Sequence, residues 1–275
     1  MKNIILIFLT LVINSIYGQD NPFFFIQLTD TQFGMYDSKN IEKETELYEK
    51  AVEHINRLKP DFVVITGDLV NKPDSEEQLT EFKRITKLIS SEIPVYVLPG
   101  NHDVKNKPDR ESIKYYLDTY NYQWFSFEHN SSQFIGLNTS IIKSHYKKYE
   151  RKQFKFLEKS LKKAKDADHI VVFTHYPFFN DEFDEAEGYS NIDPDTRLKY
   201  LDLFSASSVD AIFSGHLHEN RENEYKGMQV ITTGPVGKPL GDDPSGFRVV
   251  KVFPDKIESE YYGLEEVPDA ITFNN

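Results

Sequence analysis

The chain has 275 residues, of which 39% are hydrophobic and 28% are charged, a composition that excludes a disordered polymer and allows a sizeable buried core. Its formal net charge of −12 excludes the positive field that non-specific nucleic-acid binding requires, so we expect no nucleic-acid partner. The sequence has no cysteine, which excludes disulfides, zinc–thiolate sites and a cysteine nucleophile.

The first predicted element is a targeting segment at residues 1–18. Lys2 supplies a positive start, residues 4–13 are almost wholly apolar, and Gly18 precedes Gln19 at a candidate cleavage point. The apolar run is too short to span a bilayer comfortably, so a cleaved secretory signal is favoured over an uncleaved anchor. No later stretch is apolar for long enough to cross a membrane. We therefore expect a secreted or periplasmic protein with no membrane span after signal cleavage.

Residues 19–275 are expected to form a single domain, because no repeat, low-complexity tract or Gly/Ser linker divides them. Short apolar runs alternate with amphipathic stretches as far as residue 213. The predicted strands there are 23–29, 62–66, 95–98, 124–127, 134–138, 169–174 and 211–213, and the predicted helices are 41–58, 75–91, 109–120, 152–165 and 196–206. The remainder is predicted as strands at 222–225, 228–232, 247–253 and 257–262. This order favours an α/β core with a second sheet packed against it.

Polar side chains follow five of the predicted strands, at the point where each strand ends. They are Asp30 and Gln32, Asp68, the run Asn101-His102-Asp103, His175, and the pair His216 and His218. In open α/β sheets this edge is where ligands bind. Taken singly, each side chain has a simpler explanation as a helix cap, a turn residue or a core histidine. Because five strand ends carry them together, the sequence favours one shared site.

The residue types and spacings at these strand ends predict a metal centre. Residues two apart in an extended segment point the same way, so Asp30 and Gln32 should face one cluster, as should His216 and His218. Carboxylate, amide and imidazole ligands without thiolate suit first-row divalent metals such as Mn, Fe, Zn or Ni. The ligands are too many for one open catalytic site, and they fit two metals that share a bridging carboxylate.

The order of these motifs resembles the calcineurin-like metallophosphoesterase superfamily. The motifs are D-x-Q, G-D, G-N-H-D, a lone histidine after a strand, and G-H-x-H, and they extend from Asp30 to His218. The first motif, D-x-Q-F-G, is similar to that of the subgroup containing the calcineurin-like phosphoesterase domain-containing protein phosphatase. The resemblance implies a four-layer α-β-β-α sandwich with two mixed sheets and a two-metal site.

The resemblance also implies a role for each residue of the site. One metal would take Asp30, Gln32, Asp68 and His218, and the other would take Asp68, Asn101, His175 and His216, with Asp68 as the bridge. His102 would be a catalytic histidine that is not a ligand. Asp103 would hold the loop or orient a ring, and a simple turn residue is the alternative. Most of the superfamily has His where this chain has Gln32, which favours Mn²⁺ or Mg²⁺ and leaves the choice among Mn, Fe, Zn and Mg open.

The expected reaction is hydrolysis of a phosphate ester. A hydroxide that bridges two metals roughly 4 Å apart would attack phosphorus, while His102 stabilises or protonates the leaving oxygen. The leading hypothesis is a phosphomonoesterase acting on a phosphoprotein, nucleotide or small ester. A phosphodiesterase acting on a cyclic nucleotide or phospholipid headgroup is the second. A secreted metal-binding module with an inactive site is the third, and loss of Asp68, Asn101 or His102 would have favoured it, but all three are present.

Two further features concern the substrate. Residues 176–195 mix aromatic and acidic side chains directly after His175, and they are expected either to form a wall of the substrate pocket or only to pack the loop down. Arg110 and Arg248 are candidates for binding the phosphate group.

Overall fold

The structure is a computed structural model that describes residues 21–273, so the predicted signal segment lies outside the described residues. The strands are β1 (Phe23–Leu28), β2 (Val63–Ile65), β3 (Val95–Val97), β4 (Phe125–His129), β5 (Ser132–Gly136), β6 (Ile170–Phe173), β7 (Ala211–Ser214), β8 (Arg221–Tyr225), β9 (Met228–Thr232), β10 (Gly246–Val252) and β11 (Ile257–Gly263). The helices are α1 (Glu42–Leu58), α2 (Glu76–Thr86), α3 (Asn101–Val104), α4 (Arg110–Tyr120), α5 (Thr139–Lys143), α6 (Lys147–Lys163) and α7 (Pro194–Ala206).

The strands form two mixed sheets. The first has the order β11-β10-β1-β2-β3, in which β1, β2 and β3 are parallel and β10 and β11 add antiparallel strands. The second has the order β4-β5-β6-β7-β9-β8, with four parallel strands inside and an antiparallel strand at each edge. The parallel strands of each sheet end at a common edge, and this brings the predicted site residues together.

Strand β1 shows how the layers are held together. All six of its residues are buried, and alternate side chains point to opposite faces of the sheet. Phe25 faces the second sheet, where its ring meets the edges of Phe134 and Phe173 at 5.6 Å. Within its own sheet, the ring stacks at 4.8 Å on Phe62, which directly precedes β2. Ile26 and its neighbours on the other face belong to the larger core that contains the helices. The layers are therefore helix, sheet, sheet and helix, as expected.

The predicted elements differ from the structure in several places, among them the end of α2, which lies at Thr86 rather than at residue 91. The late strands do not form a separate sheet, because β8 and β9 extend the second sheet whereas β10 and β11 extend the first. The short helices α3 and α5 were not predicted, since four or five residues give no measurable periodicity. Helix α6 begins at Lys147 rather than residue 152, because its charged first turn hides the hydrophobic pattern.

Within residues 21–273, no helix is both long enough and apolar enough to span a bilayer.

We expect Phe25→Ala to lower the free energy of unfolding by about 3–5 kcal/mol, because it removes the ring at the centre of the inter-sheet cluster. Phe183→Ala is the matched control, since the ring of Phe183 is 49% exposed, and it should cost about 1 kcal/mol or less. Urea unfolding followed by circular dichroism measures both variants. Equal losses in the two would show that the inter-sheet cluster does not stabilise the fold as described.

Candidate metal centre

The structure brings six of the seven predicted ligands together at the shared edge of the two sheets, and the backbone of the seventh, Gln32, lies beside that of Asp68. One group of ligand atoms, from Asp68, His175 and His216, lies within 4.8 Å, and a second group, from Asp30, Asp68 and His218, does the same. Asp68 belongs to both groups. All of these residues are buried, and so are Gln32 and Asn101. The oxygen Oδ1 of Asn101 lies 3.0 Å from Nε2 of His175.

The backbone at the site is not extended, and this corrects one prediction. Asp30 and Gln32 have positive φ angles of 51° and 35°, and His216 and His218 have 74° and 57°. The two residues of each pair therefore lie in tight left-handed turns, and the alternation of side chains along a strand does not apply to them. Asp68 has a φ of 48° as well. Non-glycine residues in this region carry about 1–3 kcal/mol of strain each, and such strain concentrates at functional sites.

Two glycines let other parts of the chain approach the carboxylates closely. A Cβ atom on Gly100 would lie 2.1 Å from Oδ1 of Asp68, and a Cβ atom on Gly215 would lie 2.5 Å from Oδ2 of Asp30. Neither position has room for a side chain. Gly100 and Gly215 are therefore required, because the backbone at these two positions lies very close to the carboxylates of Asp68 and Asp30.

Backbone carbonyl groups fix the orientation of two histidine rings. Nδ1 of His175 lies 2.9 Å from the carbonyl oxygen of Thr66, and Nδ1 of His218 lies 2.5 Å from that of Lys238. A carbonyl oxygen can only accept, so each Nδ1 must carry the hydrogen. In the neutral rings, Nε2 then presents a lone pair towards the cluster. This arrangement, with one nitrogen held by the protein and the other free, is typical of metal-binding histidines.

The lone pairs that converge at the site require a positive charge. Nε2 of His175 lies 3.3 Å from Oδ2 of Asp68 and 3.2 Å from Nδ1 of His216, and Nε2 of His218 lies 3.4 Å from Oδ1 of Asp30. Acceptors at these distances repel one another unless a proton or a metal ion lies between them.

The pKa values of the site residues reflect the same demand for positive charge. Burial opposes a charge on His175, but the carboxylate of Asp68 outweighs this effect and raises the pKa of His175 to about 9. Burial likewise opposes ionisation of Asp68, yet the pairing with His175 holds the pKa of Asp68 well below its usual range. Burial, reinforced by the charge on His175, lowers the pKa of His216 to about 3. These opposite shifts show that the acidic groups favour a positive charge beside them, whereas the cluster disfavours a second charged histidine.

Three buried atoms indicate that a cation fits this site. In the part of the chain that the structure describes, Oδ1 of Asp30, Oε1 of Gln32 and Nε2 of His216 have no hydrogen-bond partner. An unsatisfied buried acceptor costs about 1–3 kcal/mol, and three of them among the predicted ligands need an explanation. Oxygen and imidazole donors without sulfur are a suitable set for a divalent ion. The residues present therefore fit the predicted metal centre.

His102 and Asp103 take different positions beside the ligands. Asp103 is buried, and its carboxylate accepts hydrogen bonds from the backbone N–H groups of Gly100 and Leu69. These contacts link the two loops that carry Asn101 and Asp68. Burial and the charge of Asp68 raise the pKa of Asp103 to about 8. His102 is only partly buried, and its Nδ1 lies 3.0 Å from the carbonyl oxygen of Asn71.

The segment of residues 176–195 is partly packed down and partly exposed. Phe178 and Phe179 are buried and pack the loop down, whereas Tyr189 is 63% exposed and its ring lies 5.3 Å from that of His216. The guanidinium of Arg197 is buried beneath the loop. It donates hydrogen bonds to four of the loop's carbonyl groups, those of Phe178, Phe183, Glu185 and Ile192.

Neither of the two arginines predicted to bind phosphate is grouped with the predicted metal ligands. The guanidinium of Arg248 is fully buried and bound to Glu222, Asn220 and nearby hydroxyl groups. Arg110 is exposed and begins helix α4. The contributions of Asn71 and of the carbonyl groups of Thr66 and Lys238 were not predicted from the sequence. A carbonyl contact leaves no trace in residue type, and the only available signal for Asn71 was its position three residues after Asp68.

Comparison with known proteins agrees with this geometry. The family model described as calcineurin-like phosphoesterase matches residues 25–220. The chain is 33% identical over 269 residues to the serine/threonine-protein phosphatase CPPED1 of Homo sapiens, covering 90% of this chain and 86% of that protein. It is 32% identical over 213 residues to the probable glycerophosphodiester phosphodiesterase GpdQ of Arcobacter nitrofigilis, covering 75% and 76%. A dimetal phosphatase structure from Danio rerio shares the fold, with a TM-score of 0.65 at 16% identity, covering 89% of this chain and 97% of that one.

We expect Gly100→Ala to weaken the binding of divalent metal, because the new methyl group would displace the carboxylate of Asp68. Gly188→Ala is the matched control, since a Cβ atom there meets nothing closer than an oxygen of Asn191 at 3.8 Å. Metal content after dialysis, measured by elemental analysis on both variants, provides the comparison. Retention of the same metal content by Gly100→Ala and the control would contradict the close packing of Gly100 on Asp68.

Proposed function

Because the chain belongs to the calcineurin-like phosphoesterase family, we propose that it hydrolyses phosphate monoesters at two divalent metal ions. Its family and its similarity to the CPPED1 phosphatase identify it as a metal-dependent phosphatase that acts on a phosphate ester. The observation that carries the two-metal proposal is the presence of two compact groups of ligand atoms that share Asp68. A shared carboxylate is the simplest way to hold two cations side by side.

The proposed ligands divide between the two ions as the sequence motifs imply. One ion would be held by Asp30, Gln32, Asp68 and His218, and the other by Asp68, Asn101, His175 and His216. Divalent ions bound there would polarise the phosphate and lower the pKa of a water molecule so that it can react near neutral pH. We propose Mn²⁺ or Mg²⁺ beside Gln32, because its unpartnered amide oxygen is a harder donor than imidazole.

His102 is proposed to act on the leaving group. Since its Nδ1 donates to the carbonyl oxygen of Asn71, Nε2 is the atom that gains and loses a proton. As the bond between phosphorus and the leaving oxygen breaks, its electron pair moves to that oxygen, which takes the proton from Nε2. The partial exposure of His102 gives a substrate access to the ring.

The substrate proposal rests on relatives and on the loop above the site. The printed name of CPPED1 supports a phosphoserine or phosphothreonine substrate, and a nucleotide or another small phosphate ester remains within the proposed class. Tyr189 is placed to contact the substrate, because it is exposed and its ring lies beside that of His216. The similarity to GpdQ supports hydrolysis of a diester as the second candidate function.

We also propose that residues 1–18 direct the chain to a secreted or periplasmic location. The apolar run at residues 4–13 supports this proposal. Amino-terminal sequencing of exported protein tests it, and a first residue at or near Gln19 is the expected result. A membrane-bound product that retains Met1 would contradict it.

A panel of substrates and metals tests the proposed reaction. Metal-depleted protein supplied with Mn²⁺, Mg²⁺, Zn²⁺ or Fe²⁺ should hydrolyse a phosphoserine peptide and p-nitrophenyl phosphate faster than bis(p-nitrophenyl) phosphate or a cyclic nucleotide. Asp68→Asn should lose both bound metal and nearly all activity, because it weakens the one ligand that both ions share. Faster hydrolysis of the diesters would favour the second candidate. An Asp68→Asn variant with its full metal content would contradict the bridging role.

His102→Ala should leave metal content intact and lower kcat by about 10²–10⁴-fold if the ring protonates the leaving group. The loss should be small for p-nitrophenyl phosphate, whose leaving oxygen needs little protonation, and larger for an alkyl phosphate. Measuring both esters and the metal content on one preparation separates the roles. Equal losses on the two esters would exclude leaving-group protonation as the main role, and loss of metal would make His102 a ligand.

A further inference from the structure

Asn71 lies against Gln32 because two loop segments run side by side beyond the strands. The backbone N–H of Gln32 donates to the carbonyl oxygen of Asp68 at 2.9 Å, and the N–H of Asn71 donates to that of Phe33 at 3.0 Å. An isolated parallel bridge between Phe33 and Val70 lies between these contacts. The loop that follows Asp30 and the loop that follows Asp68 are therefore in fixed register, and the side chains of Gln32 and Asn71 meet.

A chain of hydrogen bonds determines which way the amide group of Gln32 faces. The carbonyl oxygen of Gly34 lies 3.3 Å from Nδ2 of Asn71, and a carbonyl oxygen can only accept, so this atom of Asn71 must be the NH₂ group. Oδ1 of Asn71 consequently faces Gln32, where it accepts from Nε2 at 3.2 Å. The remaining atom, Oε1 of Gln32, is thereby turned away from Asn71. It is buried and has no hydrogen-bond partner within residues 21–273.

We infer that Asn71 is a positioning residue that holds the amide of Gln32 with its oxygen, rather than its NH₂ group, towards the metal centre. This inference rests on the proposed function, because it assigns Oε1 of Gln32 to the ion that Asp30 and Asp68 also hold. An amide can bind a cation only through its oxygen. If the Gln32 side chain rotates by half a turn, its NH₂ group repels the ion and the ligand is lost.

The side chain and the backbone of Asn71 have separable roles. Its side chain contacts Gln32, whereas its backbone carbonyl oxygen accepts from Nδ1 of His102 at 3.0 Å. Substitution of the side chain retains the carbonyl group, so the ring of His102 keeps its partner. One residue thus supports both a metal ligand and the proposed proton donor, and mutation can test the first role alone.

The experiment is a titration of metal-depleted protein with Mn²⁺, followed by electron paramagnetic resonance of the free ion. We expect Asn71→Ala and Asn71→Leu to weaken the site beside Gln32 by about 10–100-fold, the usual effect of removing a residue that orients a metal ligand. Asn71→Asp keeps an oxygen that accepts from Gln32 but loses the donor to the carbonyl oxygen of Gly34, so it should bind Mn²⁺ more tightly than Asn71→Leu. Asn106→Ala is the matched control, because the side chain of Asn106 contacts the hydroxyl groups of Tyr176 and Tyr189. It should leave the affinity unchanged.

A second substitution separates orientation from general stability. Glu in place of Gln32 offers an oxygen in either orientation and needs no support from Asn71. We therefore expect the double variant Gln32→Glu with Asn71→Leu to bind Mn²⁺ as tightly as Gln32→Glu alone. A merely structural role for Asn71 would not be rescued in this way. Thermal unfolding of the metal-depleted variants shows whether each one is folded.

The possible outcomes distinguish this inference from the proposed function. If the wild type binds two Mn²⁺ ions and Asn71→Leu binds both equally well, the inference is overturned and the proposed function stands. If Asn71→Leu weakens binding by the same factor in the Gln32→Glu background, Asn71 does not act through the orientation of Gln32, and the inference is again overturned. A wild type that binds no divalent ion would overturn the proposed function, and the inference with it.

Discussion

The interaction on which the site depends is the convergence of carboxylate, imidazole and amide lone pairs around Asp68. These atoms lie 3.0–3.4 Å apart in a buried site, so the arrangement requires a positive charge among them. The low pKa of Asp68 and the raised pKa of His175 express the same requirement. The surrounding structure holds these groups together against their mutual repulsion.

Each of the two sheets positions a different set of the proposed ligands. Asp30, Asp68 and Asn101 follow strands of the first sheet. The proposed ligands His175, His216 and His218 follow strands of the second. The distance between the two sets is therefore set by packing between the sheets. Beneath the site, the buried side chain of Gln27 reaches across this interface. It donates to Oγ1 of Thr66 at 2.8 Å and to the carbonyl oxygen of Ser214 at 3.1 Å. The aromatic cluster around Phe25 fills the space below.

The sequence predicted the parts of this arrangement that arise from hydrophobic runs and from residue type. Apolar strands such as β1 and β6 stand out, and Asp, Asn or His just beyond their ends indicated the site. The local backbone could not be predicted in the same way. Asp30 and His216 have left-handed backbones, so the expectation of extended pairs was wrong. Both residues donate backbone hydrogen bonds to segments distant in sequence, Asp30 to Gly67 and His216 to the carboxylate of Asp30, and such contacts cannot be predicted from a local pattern. The proposed role of Asn71 depends on the register between the loop that follows Asp30 and the loop that follows Asp68, and a local sequence pattern does not predict this register.

The position and number of bound metal ions test the central claim most directly. Crystals grown with Mn²⁺ and measured near the manganese absorption edge should give two anomalous peaks on either side of Asp68. One should lie beside Oε1 of Gln32 and the other beside Oδ1 of Asn101. A single peak, or two peaks that do not share Asp68, would contradict the account of the site as a two-metal centre bridged by that carboxylate.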